Sequence, residues 1–154
     1  ICAPCAETTM EALMSVTSEA TTVWQGSLME GSGNVKLDSS GAGSFPVDWK
    51  ARSEGSSSVT TPEELLAAAH SACFSMALSN ALASNGTPPT SVEATASVTF
   101  KPGTGITGSH LLVNAVVPGL SAADFDRIAE DAKVNCPVSQ ALAGVPITLE
   151  ATLA

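Results

Sequence analysis

The chain has 154 residues, which suits one domain, and its 44% of hydrophobic residues can supply a real core. The formal net charge of −9 comes from 15 acidic and 6 basic residues, and no basic run occurs. Nucleic acid and anionic membranes are bound through clustered cations, so this balance argues against both as partners.

Residues 1–20 are expected to form an N-terminal tail outside the domain, which spans residues 21–154. The tail has neither the basic start nor the continuous apolar stretch of a secretory signal, and no apolar run of the chain reaches the roughly 18 residues of a membrane span. Cys2 and Cys5 have the spacing of a redox motif, but no strand precedes them, so we assign them to the tail. Four cysteines are too few for a disulfide scaffold, and we expect a cytoplasmic protein.

Three short strands and their turns are predicted for the first third of the domain. The segments 21–28, 35–39 and 45–49 are β-branched, aromatic or alternating, and glycine- and serine-rich turns separate them. We interpret them as an antiparallel meander, followed by a polar loop over residues 52–58.

A long helix is predicted from residue 62 onward. Thr61 can cap it, Pro62 suits its first position, and Glu64 completes a capping box with Thr61. Gly86 and the prolines beyond it predict its end.

The remaining elements complete an α+β domain. Residues 91–100 and 109–117 alternate as two strands, Ser121 begins an amphipathic helix, Pro137 begins a short one, and 145–154 forms a last strand.

Two cysteines of the domain are the candidate reactive groups. Cys73 lies inside the long helix, where a buried thiol is commonly just a small apolar side chain. Cys136 precedes Pro137, and the free amides at a helix start favour a thiolate there. Local rules thus favour Cys136 as the more acidic thiol. His70, one turn before Cys73, is a candidate base, although an interior histidine is more often a hydrogen-bonded packing residue.

One arginine and one acid lie at the entrance of the Cys73 helix. Arg52 is expected in the polar loop before it, and Glu63 is its second residue. Each also has an ordinary interpretation: Arg52 can be a solvated loop charge, and Glu63 can be an acid that complements the helix start. Together they can form a bidentate ion pair.

Two blocks carry a family resemblance. "TTPEELLAAAHSACFSMALSNAL" (60–82) and "AKVNCPVSQAL" (132–142) resemble the signature blocks of the OsmC/Ohr thiol peroxidases, and "VWQGSLMEGSGNVKLDSSGAG" (23–43) resembles the OsmC branch. The resemblance implies an OsmC-like fold with antiparallel sheets wrapped around central helices. It also implies an intertwined homodimer whose active sites are shared between subunits.

The resemblance implies roles for four residues. Cys73 becomes the nucleophile that attacks an organic hydroperoxide, or hydrogen peroxide less well, and Cys136 becomes the thiol that closes a disulfide with the resulting sulfenic acid. Arg52 matches the catalytic arginine of the OsmC branch and Glu63 its acid. The Ohr branch takes its arginine from an early strand, where this chain has none. No metal or prosthetic group is implied, and an external dithiol of lipoyl type would reduce the disulfide.

The chemistry of these residues is consistent with that assignment. A guanidinium near a sulfur lowers the pKa of the thiol and stabilises the negative charge that develops during the attack. Because this effect can outweigh the effect of the helix start on Cys136, we assign the attack to Cys73. Phe74 and Met76 are expected as apolar walls for an alkyl group. Two alternatives stay open: a non-enzymatic redox-sensing or ligand-binding dimer that uses the same thiols, and a purely structural thiol pair.

Overall fold

The computed structural model describes residues 15–154, so the predicted tail lies largely, and Cys2 and Cys5 wholly, outside the described residues. Within residues 15–154, six strands and four helices follow in the order β-β-β-α-α-β-β-α-α-β. They are β1 (Ala20–Gln25), β2 (Ser32–Leu37), β3 (Ser44–Asp48), α1 (Trp49–Glu54), α2 (Pro62–Ser84), β4 (Ser91–Lys101), β5 (Gly105–Val116), α3 (Ala122–Asn135), α4 (Pro137–Ala141) and β6 (Ile147–Leu153).

The strands form two separate three-stranded sheets, and the α+β prediction is confirmed. The first sheet is the expected antiparallel meander β1-β2-β3. The second has the order β4-β5-β6, in which β4 and β5 are antiparallel but β5 and β6 are parallel. The expected antiparallel pairing thus holds for every strand pair of the two sheets except β5 and β6. The helices α3 and α4 carry the chain back along the sheet, and such a long crossover permits parallel pairing.

The helix α2 begins and ends where the sequence predicts. The Thr61 hydroxyl accepts a hydrogen bond from the Glu64 amide at 3.1 Å, and Pro62 is the first helical residue. The Glu64 carboxylate, however, accepts from the Thr60 hydroxyl, which differs from the expected capping box. At the other end, Gly86 has φ +83° and its amide bonds to the Ala83 carbonyl, as in a glycine-terminated helix.

A short helix, α1, replaces the predicted loop around Arg52. The Asp48 carboxylate accepts a hydrogen bond of 2.6 Å from the Ala51 amide and so caps its first turn. Gly55, at φ +86°, ends it. The sequence pattern predicts Trp49 as the end of a strand, because an aromatic residue after "FPVD" continues a β-rich pattern. The signal that could have identified α1 is the capping Asp48.

The core lies between α2, α3 and one face of the second sheet. Its centre consists of fully buried side chains from all three elements: Phe74, Leu78, Leu82, Leu111, Val113 and Phe125. Burial of a leucine or phenylalanine side chain of this kind contributes about 1.5–3 kcal/mol. This packing determines which face of α2 is turned toward α3 and the sheet, and therefore which way the Cys73 side chain points.

Much of α2 stays uncovered in a single chain. Within the described residues it is the one helix that is long and apolar enough to cross a membrane, whereas the sequence predicts no membrane span. Only 22% of its most apolar window is buried. The mostly buried core helix of a soluble protein can have the same length and mean hydropathy. Met76, on this uncovered face, is 73% exposed.

Candidate active site

Cys73 and Cys136 are brought together as a pair of free thiols. Cys73 is half-buried in the middle of α2, whereas Cys136 is fully buried at the junction of α3 and α4. The two thiols lie close enough together for Cys136 to raise the pKa of Cys73. Residues that are 63 positions apart in the sequence thus form one two-thiol unit.

The amide at the start of α4 acts on Cys73 and not on Cys136. The backbone N–H of Val138 donates a hydrogen bond to the Cys73 sulfur. Cys136 is the N-cap residue of α4, but its side chain makes no capping hydrogen bond. The sequence places Cys136 at this helix start, and it is the N-cap residue, but the Val138 amide acts on Cys73 of α2.

The pKa of the Cys73 thiol is raised in the single chain. Burial is the main cause, since it disfavours the thiolate, and the Cys136 thiol adds to the rise through its hydrogen bond and its charge when ionised. The Val138 amide works in the opposite direction. A reactive thiolate would consequently need further stabilisation, and a cation is the usual source.

Arg52 and Glu63 form the predicted bidentate ion pair. The Arg52 Nη2 donates to Glu63 Oε1 at 2.8 Å, and its Nε lies 3.1 Å and 3.3 Å from the two carboxylate oxygens. Glu63 is only 6% exposed, whereas Arg52 is half-buried. Such forked pairing fixes the plane of the guanidinium as well as its position.

An aromatic ring also holds the Arg52 side chain in place. The guanidinium carbon lies 4.3 Å from the centre of the Phe100 ring, and Trp49 packs edge-on against that ring at 6.0 Å and 83°. The register between β4 and β5 shifts at Thr99 and Phe100, and such a bulge re-aims a side chain. Phe100 is not among the residues predicted for the site, because the strand pattern alone places it on the apolar face.

The ion pair and the thiol pair are separate within one chain. Cys73 lies ten residues after Glu63 on α2, which corresponds to a rise of about 15 Å. The guanidinium of Arg52 is not among the groups that set the Cys73 pKa here.

His70 has structural partners on both ring nitrogens. It is fully buried, with Nδ1 2.7 Å from the Ser109 Oγ of β5 and Nε2 2.9 Å from the Ser139 Oγ of α4. Burial lowers the pKa of the imidazole, which favours its neutral form.

Two cavities flank Arg52. One, of about 310 Å³, is mainly apolar; it lies between the first sheet and the helix starts and is lined by Thr22, Trp24, Leu28, Val35, Val47, Asp48, Trp49, Arg52, Pro62 and Leu65. The other, of about 420 Å³, is more polar and contains Glu63 and Phe100 in its wall. Neither is lined by the expected walls: Phe74 is buried in the core, and Met76 lines a third cavity with Asn80 and Val92.

Among residues 15–154, no group of three or more His, Cys, Asp and Glu side chains could hold a metal ion.

Comparison with known proteins gives consistent matches. Residues 55–150 match the model of the family described as OsmC-like protein. The chain is 41% identical over 132 residues to Peroxiredoxin OsmC of Escherichia coli (strain K12), which covers 84% of this chain and 92% of that protein.

Solved structures share the fold. The organic hydroperoxide resistance protein OhrB of Bacillus subtilis aligns with a TM-score of 0.65 at 26% identity, over 89% of this chain and 98% of that one. A hydroperoxide resistance protein from Elizabethkingia anophelis gives 0.65 at 28% identity, over 91% and 99%. An OsmC-like protein from Mycoplasma pneumoniae, at 17% identity, supports the fold alone, with a TM-score of 0.69 over 92% and 99%.

Proposed function

Because the chain belongs to the OsmC-like protein family, we propose that it is a cysteine-based peroxidase that reduces organic hydroperoxides to alcohols in peroxide-stress defence. The observation that carries the proposal is that the Cys73 and Cys136 thiols lie together at one apolar core cluster, near enough for Cys136 to act on the ionisation of Cys73. The names of the relatives, a peroxiredoxin and two hydroperoxide resistance proteins, support the same class of reaction.

The first step is a nucleophilic attack by the Cys73 thiolate. Its sulfur forms a bond to the terminal peroxide oxygen, the O–O bond breaks, and the alkoxide leaves with a proton as an alcohol. Cys73 is oxidised to the sulfenic acid. The Val138 N–H, aimed at the sulfur, stabilises the thiolate before the attack.

The second step uses Cys136. Its sulfur attacks the sulfenic sulfur of Cys73, the S–O bond breaks, and water leaves as the disulfide forms. The nearness of the two thiols in the reduced chain supports a short path for this step. An external dithiol of lipoyl type then reopens the disulfide by exchange, and no resident cofactor takes part.

Arg52 is proposed to stabilise the negative charge of the attack, held in position by Glu63 and Phe100. Since about 15 Å of helix separates this pair from Cys73 of its own chain, we place the Arg52 of one subunit beside the Cys73 of its partner. A homodimer with shared active sites follows from this arrangement.

The uncovered apolar surface supports such a dimer. Every residue of β1 is exposed, including Val23 at 62%, and the first sheet buries almost nothing in a single chain. Met76 on α2 is likewise uncovered. Since this much apolar surface marks an interaction site, we propose that a second copy covers it. We take α2 as a core helix and not a membrane span, and we propose a cytoplasmic protein, where thiols stay reduced.

Steady-state consumption of cumene and tert-butyl hydroperoxide with dihydrolipoamide tests the proposal. We expect sustained turnover that Cys73→Ser abolishes, and a sulfenic acid on Cys73 that mass spectrometry traps in Cys136→Ser. Retained turnover in Cys73→Ser, with loss of the first attack in Cys136→Ser, contradicts the assignment. Stoichiometric oxidation without turnover indicates a redox sensor instead.

A further inference from the structure

His70 joins three elements of the core that are distant in the sequence. It projects from α2, its Nδ1 pairs with Ser109 on β5, and its Nε2 pairs with Ser139 on α4. All three side chains are buried, so neither hydroxyl can exchange its partner for bulk water. A neutral imidazole has one donor and one acceptor nitrogen, and the two hydroxyls can serve both.

Through Ser139, His70 holds α4, the helix that begins at Cys136 and carries the Val138 amide. α4 spans only Pro137–Ala141, too short to be stable by itself, so its position depends on tertiary contacts. Cys136 is its N-cap residue, and its Val138 amide donates to Cys73. Ser139, the bonded residue, directly follows Val138.

We propose that His70 is a positioning residue for the resolving step, holding α4 through Ser139 so that Cys136 reaches the oxidised Cys73. The inference rests on the proposed peroxidase function and deepens it. Cys73 itself is carried by the long helix α2, which β4, β5 and α3 support independently of Ser139.

The consequence lies in the fate of the Cys73 sulfenic acid. It either condenses with Cys136, releasing water, or it is oxidised further to the sulfinic acid by a second hydroperoxide molecule, which leaves as the alcohol. Both reactions begin from the same species. Their ratio therefore reports the position of Cys136 and is independent of the rate of the first attack.

Two buried serines provide a matched pair of variants. Ser139→Ala and Ser109→Ala each remove one hydrogen bond from the same imidazole, but only Ser139 belongs to α4. We expect Ser139→Ala to lower the ratio of disulfide to sulfinic acid about tenfold at a fixed hydroperoxide concentration, since loss of a buried hydrogen-bond partner has effects of this size. Ser109→Ala should keep the wild-type ratio. Intact-mass analysis after single and repeated turnovers measures both products.

A second pair tests His70 directly. The amide of Gln in His70→Gln can occupy the position of Nε2 and keep the bond to Ser139, whereas the shorter Asn in His70→Asn can reach only toward Ser109. We expect Gln to restore the wild-type ratio and Asn to reproduce the Ser139→Ala ratio. A purely structural role would instead lower the stability of both variants without separating their ratios.

The outcomes distinguish the two levels of the proposal. If Ser139→Ala and Ser109→Ala give equal ratios, or if Ser139→Ala matches the wild type, the role of His70 is overturned while the peroxidase stands. If neither the wild type nor any of the variants forms a sulfenic acid on Cys73, the proposed function itself has failed.

Discussion

The Arg52 guanidinium is held by the Glu63 carboxylate at 2.8 Å and by the face of Phe100, at the N-terminal end of the helix that carries Cys73. The pair is thus preorganised, yet it lies about 15 Å along α2 from the thiol of the same chain. Because of this separation, the proposed active site pairs the Arg52 of one subunit with the Cys73 of its partner.

Arg52→Lys should lower kcat/KM for cumene hydroperoxide about a hundredfold, because one ammonium cannot replace the fork that binds Glu63 and faces the substrate. Arg127→Lys is the matched control, since Arg127 is the only other arginine and makes only exposed ion pairs on α3. Its kinetics should equal those of the wild type. Equal losses in both variants would remove Arg52 from the site.

Mixed dimers test whether the site is shared. Arg52→Ala and Cys73→Ser should each be inactive, but co-refolding equal amounts should restore about a quarter of wild-type activity, because half of randomly formed dimers are mixed and each has one intact site. Steady-state peroxidase assays of the separated and mixed proteins measure this. Should mixing restore nothing while mixed dimers are detected by native mass spectrometry, the site belongs to a single chain.

Cys136→Ser should lower the pKa of Cys73. The Cys136 thiol raises that pKa, and a serine hydroxyl, which stays neutral, removes the charge competition and can donate to the thiolate. The rate of alkylation by iodoacetamide, followed against pH, should reach its midpoint at lower pH than in the wild type. A midpoint that stays unchanged or rises would show that Cys136 does not influence the ionisation of Cys73.

Two adjacent leucines of β5 test the packing of the second sheet. Leu111 is fully buried, whereas Leu112 faces outward and is 43% exposed. Leu111→Ala should reduce the free energy of unfolding by about 2–5 kcal/mol, and Leu112→Ala by less than about 1 kcal/mol. Urea unfolding followed by circular dichroism gives both values. A reversed order would mean that the helices cover the opposite face of the sheet.

Much of this organisation could be predicted from the sequence. Thr61, Pro62 and Gly86 set the ends of α2, because a helix start needs a side-chain acceptor and its end favours a residue with positive φ. The alternation of β4 likewise set its faces, because side chains along a strand point to opposite sides. The pairing of Arg52 with Glu63 followed from their charges and their nearness along the chain.

Only the tertiary structure decided the surroundings of the two thiols. Local rules assign the amides at the start of α4 to Cys136, but the packing of α2 against α4 places Cys73 before the Val138 amide. The same packing gives His70 its two serine partners and buries Phe74 in the core. Periodicity and capping act over a few neighbouring residues, whereas these contacts join residues up to 69 positions apart, and only the folded core brings them together.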